Sequence, residues 1–185
     1  TLTTSQQNAY QEINGDMAKP ERMLRLLQGD VGSGKTVVAL MAMLNAVEAG
    51  LQACLMVPTE ILARQHHATI TALCTDADVN IVVLTGRDKG KARKAVLESI
   101  ADGSSQIIIG THALFQDDIA FKDLAFAVID EQHRFGVHQR LMLAGKGETV
   151  DVLVMTATPI PRTLTLTTYG DMEVSRLPEK PAGRK

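Results

Sequence analysis

From Met23 onward, short apolar runs alternate with amphipathic stretches, the pattern expected of strands joined by helical crossovers. Strands are predicted over Arg25–Gln28, Ala53–Val57, Ile81–Leu84, Ile107–Ile109, Phe126–Ile129 and Val152–Met155. Most are apolar on consecutive positions, as a parallel sheet covered by helices on both faces requires. The stretches between them predict helices over Lys35–Glu48, Glu60–Leu73, Asp88–Ala101 and His138–Leu143, with another near the start at Ser5–Ile13. The helix from Lys35 is rich in Ala, Leu and Met and ends just before Gly50, and Gly103 follows the helix that ends at Ala101; each glycine can supply a left-handed cap. Lys19-Pro20 reads as a break before the first core strand. The expectation is an α/β domain over residues 1–177, then a linker over 178–185 marked by Pro178, Pro181 and Gly183 among basic residues.

The residues Gly29-Asp30-Val31-Gly32-Ser33-Gly34-Lys35-Thr36 satisfy GxxxxGK[ST] between a predicted strand and a predicted helix. In that context a glycine-rich turn lets backbone N–H groups surround phosphate oxygens while the following helix presents its positive end. Lys35 would reach the β- and γ-phosphates of ATP, and Thr36 would place its hydroxyl on Mg²⁺. A flexible turn with an incidental Lys-Thr pair does not account for the flanking strand and helix. A dinucleotide site fits worse, because Lys-Thr stands where close glycine packing is wanted and no clear ribose-binding acid follows the next strand.

A second acidic site, Asp130-Glu131, follows the apolar run Ala125–Ile129. A parallel sheet brings the end of this strand to the same edge as the phosphate loop. Asp130 would help hold Mg²⁺, and Glu131 would orient and deprotonate the attacking water, which separates a metal position from a base position. From chemistry alone, His133 is equally a locally hydrogen-bonded helix-end residue or a sensor of the γ-phosphate.

Composition narrows the class further. The 185 residues suffice for one α/β domain and are too few for two substantial ones. Hydrophobic residues make up 45% of the chain, yet its apolar runs are short and interrupted, so none is expected to cross a bilayer. The opening Thr1-Leu2-Thr3 has no basic start or apolar stretch of a secretory signal. Cys54 and Cys74 lack metal-ligand spacing and suit a reducing, cytoplasmic interior. A net charge of −2 neither demands nor excludes nucleic acid, so any polyanion surface must be local. The absence of Trp, with few Phe and Tyr, argues against base stacking as the main binding device.

The motif series goes beyond nucleotide binding. Leu26–Thr36 (LLQGDVGSGKT), Val57–His66 (VPTEILARQH), Gly110–Gln116 (GTHALFQ), Asp130–Arg140 (DEQHRFGVHQR) and Met155–Leu164 (MTATPIPRTL), in this order, closely resemble the first motor domain of RecG-type ATP-dependent DNA helicases of superfamily 2. The likeness covers nearly the whole chain, from LTTSQ at Leu2 to the stretch Gly170–Lys185. It implies a three-layer RecA-like P-loop fold with a mostly parallel central sheet, ATP and Mg²⁺ as cofactors, and branched or forked DNA as partner.

The resemblance also implies roles. Lys35 and Thr36 match the phosphate and Mg²⁺ residues, Asp130 and Glu131 the acidic motif, and Gln132 and His133 the positions that couple nucleotide state to domain contact, which favours the sensor reading of His133. Thr156, Ala157 and Thr158 match a relay between hydrolysis and DNA movement. Segments around Pro58, Thr59 and Glu60 and around Gly110, Thr111 and His112 match DNA-backbone contacts. Gln6 is similar to a glutamine that helps recognise adenine in related motors. The residues themselves suit such contacts: Thr59, Arg64, Gln65, Gly86, Arg87, Thr111 and His112 follow strand ends or open helices, where hydroxyls and free N–H groups can meet phosphates without reading bases.

Other features carry less. Lys89, Lys91, Arg93 and Lys94 form a basic run that favours surface solubility slightly over DNA contact. Phe135 and Val137 would pack the loop after the acidic motif. Pro159 and Pro161 restrict the backbone of a coupling loop, where Arg162 could meet DNA or another domain. The resemblance places arginine fingers on a second RecA-like motor domain and branch recognition on a wedge domain of the same parent chain, so this chain alone is expected to hydrolyse ATP poorly and unwind nothing. A transcription-repair coupling translocase shares much of the series but usually resembles Asp-Glu-Glu-His where this chain has Gln132. A nucleotide-dependent regulatory module is the alternative from a different class.

Overall fold

The apolar runs become strands of a parallel sheet in the computed structural model, which describes residues 2–19, 23–30, 32–115, 119–130, 150–157 and 173–177. Along the chain the elements are α1 (Thr4–Met17), β1 (Leu24–Gly29), α2 (Lys35–Glu48), β2 (Gln52–Met56), α3 (Glu60–Leu73), β3 (Ile81–Leu84), α4 (Gly90–Ala101), β4 (Ile107–Gly110), a 3-10 turn at His112–Phe115, β5 (Leu124–Asp130), β6 (Asp151–Thr156) and β7 (Glu173–Leu177). Among the described residues the sheet has seven strands in the order β3-β4-β2-β5-β6-β1-β7. Every described pairing is parallel. The α/β class with helices around a parallel sheet is therefore as expected from the hydrophobic pattern. The predicted helix His138–Leu143 and the linker 178–185 lie outside the described residues.

Alternation along each strand sorts the core into two layers. Leu27, Leu55, Ile109, Phe126, Val128 and Met155 face α1, α2 and α3, whose Ile13, Val38, Met43, Ala63 and Ile70 close over them. Leu26, Cys54, Met56, Ile108, Ile129 and Val154 face the other way, where Ile100 of α4 and Leu114 of the 3-10 turn cover them. Both cysteines are unpaired thiols, and complete burial pushes Cys54 up to about 12. Gly50 and Gly103 take φ of 80° and 83° after α2 and α4, the left-handed geometry that ends a helix.

Several boundaries differ from the sequence expectation for identifiable reasons. Helix α1 continues past Ile13 through Asn14-Gly15 because Asn45 of α2 donates to both Asn14 Oδ1 and Tyr10 Oη at 2.8 Å, and because Asp16 is held from the sheet. Strand β2 starts at Gln52, whose buried amide donates to Ile100 O and Ser105 O and accepts from Asp123 N, so a polar side chain is satisfied inside the core. Helix α4 starts at Gly90 instead of Asp88, since the Asp88 carboxylate accepts from Thr85 N at 2.7 Å and closes a turn there. Strand β7 had no counterpart in the predicted strands: with Ser175 and Arg176 beside Val174 and Leu177, its apolar content is too sparse to stand out, and its pairing with β1 decides its conformation.

Arg25 ties α1 to the sheet. Its guanidinium, on a side chain only 8% exposed, meets Glu12 at 3.0 Å and Asp16 at 2.7 Å. It also donates to Ser175 Oγ of β7, which in turn donates to Glu12. Burial pushes the Asp16 carboxyl up, but hydrogen bonds from Arg25 and Lys19 outweigh it and hold the group below its ordinary value of 3.8. A folded value below the unfolded one adds stability above the unfolded pKa that is lost as pH falls through the folded one. Breaking a buried ion pair costs about 3–5 kcal/mol, and the low end applies here because Glu12 remains half in water. Arg25→Ala is therefore expected to lower stability at neutral pH by about 3 kcal/mol. Urea denaturation should show that difference beginning to shrink as pH falls below about 4, where Asp16 is protonated in the unfolded chain, and continuing to shrink as pH passes through its lower folded-state value.

Candidate functional site

The phosphate loop is built from the end of β1 and the start of α2. Gly34 sits at φ 89° and ψ 26° as the N-cap of α2, and among the described residues no side chain caps that end, where the first-turn N–H groups have no intrahelical acceptor. Gly32 is likewise left-handed at φ 84°, and Ser33 N donates to Asp30 O at 3.0 Å to curl the turn. Gly29 has no room for a side chain: a Cβ there would stand 2.5 Å from Ser33 Oγ and 3.0 Å from Leu177 Cβ. Ser33 is 1% exposed, and its hydroxyl finds no hydrogen-bond partner among the described residues. A buried hydroxyl without a partner is costly and marks a place built for a polar group.

Lys35 curls over this loop, its ammonium donating to Gly29 O and, at 3.1 Å, to Asp30 O. Burial pushes the amine below its ordinary value, while the charges of Asp130 and Asp30 pull it partly back. The Asp130 effect follows from sheet register. Asp130 pairs with Met155 on β6, and Met155 pairs with Leu27 on β1, so Asp130 stands level with Leu27, two residues before the end of β1. Two strand spacings, about 10 Å, separate those backbones. Phe126 and Val128 face the α2 side, and period-two alternation turns Asp130 the same way, toward the start of α2. The cation and the acid expected at the phosphate site thus share one edge and one face.

Gln6 is also placed at the loop. It is 2% exposed, and its amide donates at 3.4 Å to Ser33 O and to Gly34 O. Its Oε1 accepts from Thr3 N at 2.8 Å and closes the capping box of α1. Both ends of this amide are therefore engaged within the chain. Thr36 is half-buried in the first turn of α2. Thr156 ends β6 between Asp130 and the phosphate loop, buried, with exposed Ala157 after it. Val31, Glu131, Gln132, His133, Phe135, Val137, Thr158, Pro159, Pro161 and Arg162 lie outside the described residues.

The residues expected to meet DNA occupy the other half of the same edge, because β3, β4 and β2 are neighbours there. Thr59, Arg64, Gln65, Gly86, Arg87 and His112 are exposed, and Pro58 and Glu60 are half-buried. Thr59 caps α3 by accepting from Leu62 N at 3.2 Å. Glu60 gathers Arg87 at 3.0 Å and Arg64 at 3.4 Å, and Arg64 also approaches Asp88 at 3.9 Å. Gly110 and Thr111 are buried instead. A Cβ at Gly110 would run into Leu84 O and the Leu114 side chain, so this glycine is required by the approach of β3 to β4.

One contact escaped the reading of the sequence: His66 of α3 lies 3.2 Å from Asp130 Oδ2 through its Nε2. The available signal was its spacing, since His66 falls between the buried Ala63 and Ile70 on the sheet-facing side of α3.

A family model described as DEAD/DEAH box helicase matches residues 3–167. Over its whole length the chain is 55% identical to the ATP-dependent DNA helicase RecG of Bacillus subtilis (strain 168), of which it spans 27%. A solved structure of RecG bound to a three-way DNA junction matches 100% of this chain and 25% of that one, with a TM-score of 0.85 and 43% identity. The DUF1998 helicase MrfA bound to DNA shares the fold at a TM-score of 0.72, with 19% identity over 95% of this chain and 27% of that one. The RecG-type resemblance drawn from the motifs therefore holds, and the chain spans about a quarter of the length of these RecG relatives.

Two glycines assigned to the DNA edge should separate cleanly in stability. Gly110→Ala is expected to cost about 1–3 kcal/mol through overpacking against backbone, whereas Gly86→Ala, with nothing among the described residues within 4 Å of the added carbon, should stay within about 0.5 kcal/mol of wild type. Chemical denaturation of the two variants measures the difference.

Proposed function

We propose that this chain, which belongs to the DEAD/DEAH box helicase family, is the first RecA-like motor domain of an ATP-dependent DNA helicase that remodels branched DNA and stalled replication forks in recombination and repair. The observation that carries this reading is the placement of Lys35 and Asp130 at one edge and on one face of the sheet, beside a loop whose buried Ser33 hydroxyl has no partner among the described residues. A triphosphate chain supplies acceptors for the donors this loop presents, which are the backbone N–H groups at the start of α2, the Lys35 ammonium and the Ser33 hydroxyl. Similarity to RecG helicases over the full chain supports the DNA-remodelling part.

In this reading Gly29, Asp30, Val31, Gly32, Ser33 and Gly34 cradle the phosphates, and Lys35 neutralises the β- and γ-oxygens. Thr36 and Asp130 hold Mg²⁺, which when bound neutralises charge on the transferred phosphoryl group. Glu131 takes the proton of the attacking water, while Gln132 and His133 carry nucleotide state to a neighbouring domain. Gln6, fastened to the loop carbonyls, would recognise adenine by exchanging bonds it now makes within the chain. Arg64, Arg87, Thr59, Gln65 and His112 track the DNA backbone without reading sequence, as a translocating motor requires. Thr156, Ala157, Thr158 and Arg162 couple hydrolysis to movement.

The parent chain supplies the remaining parts in this proposal: a second RecA-like motor domain with its arginine fingers, and a wedge domain that selects branches. An arginine contributed across such a cleft raises turnover by factors of about 10³ to 10⁵. Two unpaired thiols and a DNA partner support a cytoplasmic location.

Lys35→Ala is expected to weaken ATP and ADP binding about 10- to 100-fold, the worth of a hydrogen bond to a charged group, with the melting temperature little changed. Glu131→Gln should keep nucleotide affinity and lose turnover in the two-domain parent. Fluorescence titration and steady-state hydrolysis separate the two, and an equal loss of binding in both folded variants would show the roles to be wrongly divided. DNA binding should weaken steeply with salt and equally for random and forked duplexes on this domain alone.

A further inference from the structure

Phosphate-side loops follow β1, β5 and β6, DNA-side loops follow β2, β3 and β4, and the boundary between the two groups falls between β2 and β5. His66 crosses it. The helix that carries His66 opens on the DNA side, where Thr59 caps it and Glu60 holds Arg64 and Arg87. Ala63 and Ile70, both fully buried, pin α3 to the sheet on either side of His66. The imidazole then reaches Asp130 Oδ2 at 3.2 Å, with the two side chains only 16% and 15% exposed. A carboxylate offers acceptors alone, so His66 donates through Nε2–H.

We infer that His66 is a positioning residue for Asp130, fixing the carboxylate by one oxygen so that the other is presented to the phosphate loop. Without that bond an aspartate side chain can rotate, because its terminal torsion is broad and weakly restrained. The bond to His66, with the positive charge of Lys35 at the same edge, restricts Asp130 to one orientation. The setting of the metal-facing acid thus depends on a helix whose first turn belongs to the DNA half of the edge. Glu60 and His66 sit on one rigid rod, so a displacement of α3 moves both.

This inference rests on the ATP and Mg²⁺ reading, and the experiment keeps the two apart. Titrations of a fluorescent ADP with the whole chain, with and without Mg²⁺, give the gain in affinity that the metal contributes. In His66→Ala that gain should fall about 10-fold or more, the usual effect of removing a partner that orients a metal-facing group, while metal-free affinity stays at the wild-type value. His66→Gln, which restores an N–H donor at similar reach, should recover part of it. In an Asp130→Asn background the His66→Ala change should have no further effect; a general loss of stability would instead persist in both backgrounds. An undiminished gain in His66→Ala, or the same loss with Asp130 already replaced, overturns the positioning role alone. Absence of any Mg²⁺-dependent gain in the wild-type chain overturns the ATP and Mg²⁺ reading and this inference with it.

Discussion

An ammonium group at the start of a helix and a carboxylate at the end of a strand can share one edge of a sheet only if strand direction, register and side-chain phase all agree. In this chain they do. Strands β1, β6 and β5 run parallel, so their last residues share an edge, and Asp130, Met155 and Leu27 stand in one row across it. The phase is set by burial: Phe126 and Val128 must face the helices that cover them, and Asp130 inherits that direction. A slip of one residue in β5 would bury the carboxylate's neighbours on the wrong face and turn Asp130 away from Lys35. The hydrophobic core therefore holds the polar site in place, and the glycines of the loop only let the backbone come close enough to use it.

Around this pair, strain and cost are concentrated where the chain would meet phosphate. The buried Ser33 hydroxyl, the burial-depressed Lys35 amine and the uncapped start of α2 are each unfavourable in isolation. They are supported from outside the loop. Gln6 fastens α1 to the loop carbonyls, and Arg25 joins α1 to β1 and β7 through Glu12, Asp16 and Ser175. Helix α1 thus acts as a brace behind the phosphate loop, tied at one end to the loop and at the other to the sheet.

The same sheet order explains why two kinds of loop share an edge without mixing. Crossovers through α2 and α3 carry the chain away from β1 to β2 and β3 on one face, and α4 brings it back on the other to β4 before β5 and β6 return toward β1. Arg64 and Arg87 collect on one half, the phosphate loop and the acid on the other. Helix α3 is the element that contributes to both, through Glu60 at its first turn and His66 further along.

Much of this was legible in the linear chain, because the signals are local. Period and apolar runs predicted β1 to β6 and the helices α2 and α3 to within two residues. GxxxxGK[ST] located the phosphate loop, since the spacing of its glycines and Lys35 is dictated by backbone conformation, and the ordered motif series pointed to the helicase family that the comparisons show. What stayed hidden depended on partners distant in sequence. Strand β7 is polar and short until β1 supplies its hydrogen bonds, and Gly110 looks like any loop glycine until Leu84 is packed against it. Thr111 resembles an exposed backbone contact but is buried just past the end of β4. His66 and Asp130 are separated by 64 positions, so no local pattern could join them. The sequence by itself determined the elements, the phosphate loop and the family, because short-range sterics and hydrophobic period set them. Only the tertiary structure decided which polar groups meet, because strand order and register, fixed by burial of the whole core, bring distant residues to one edge.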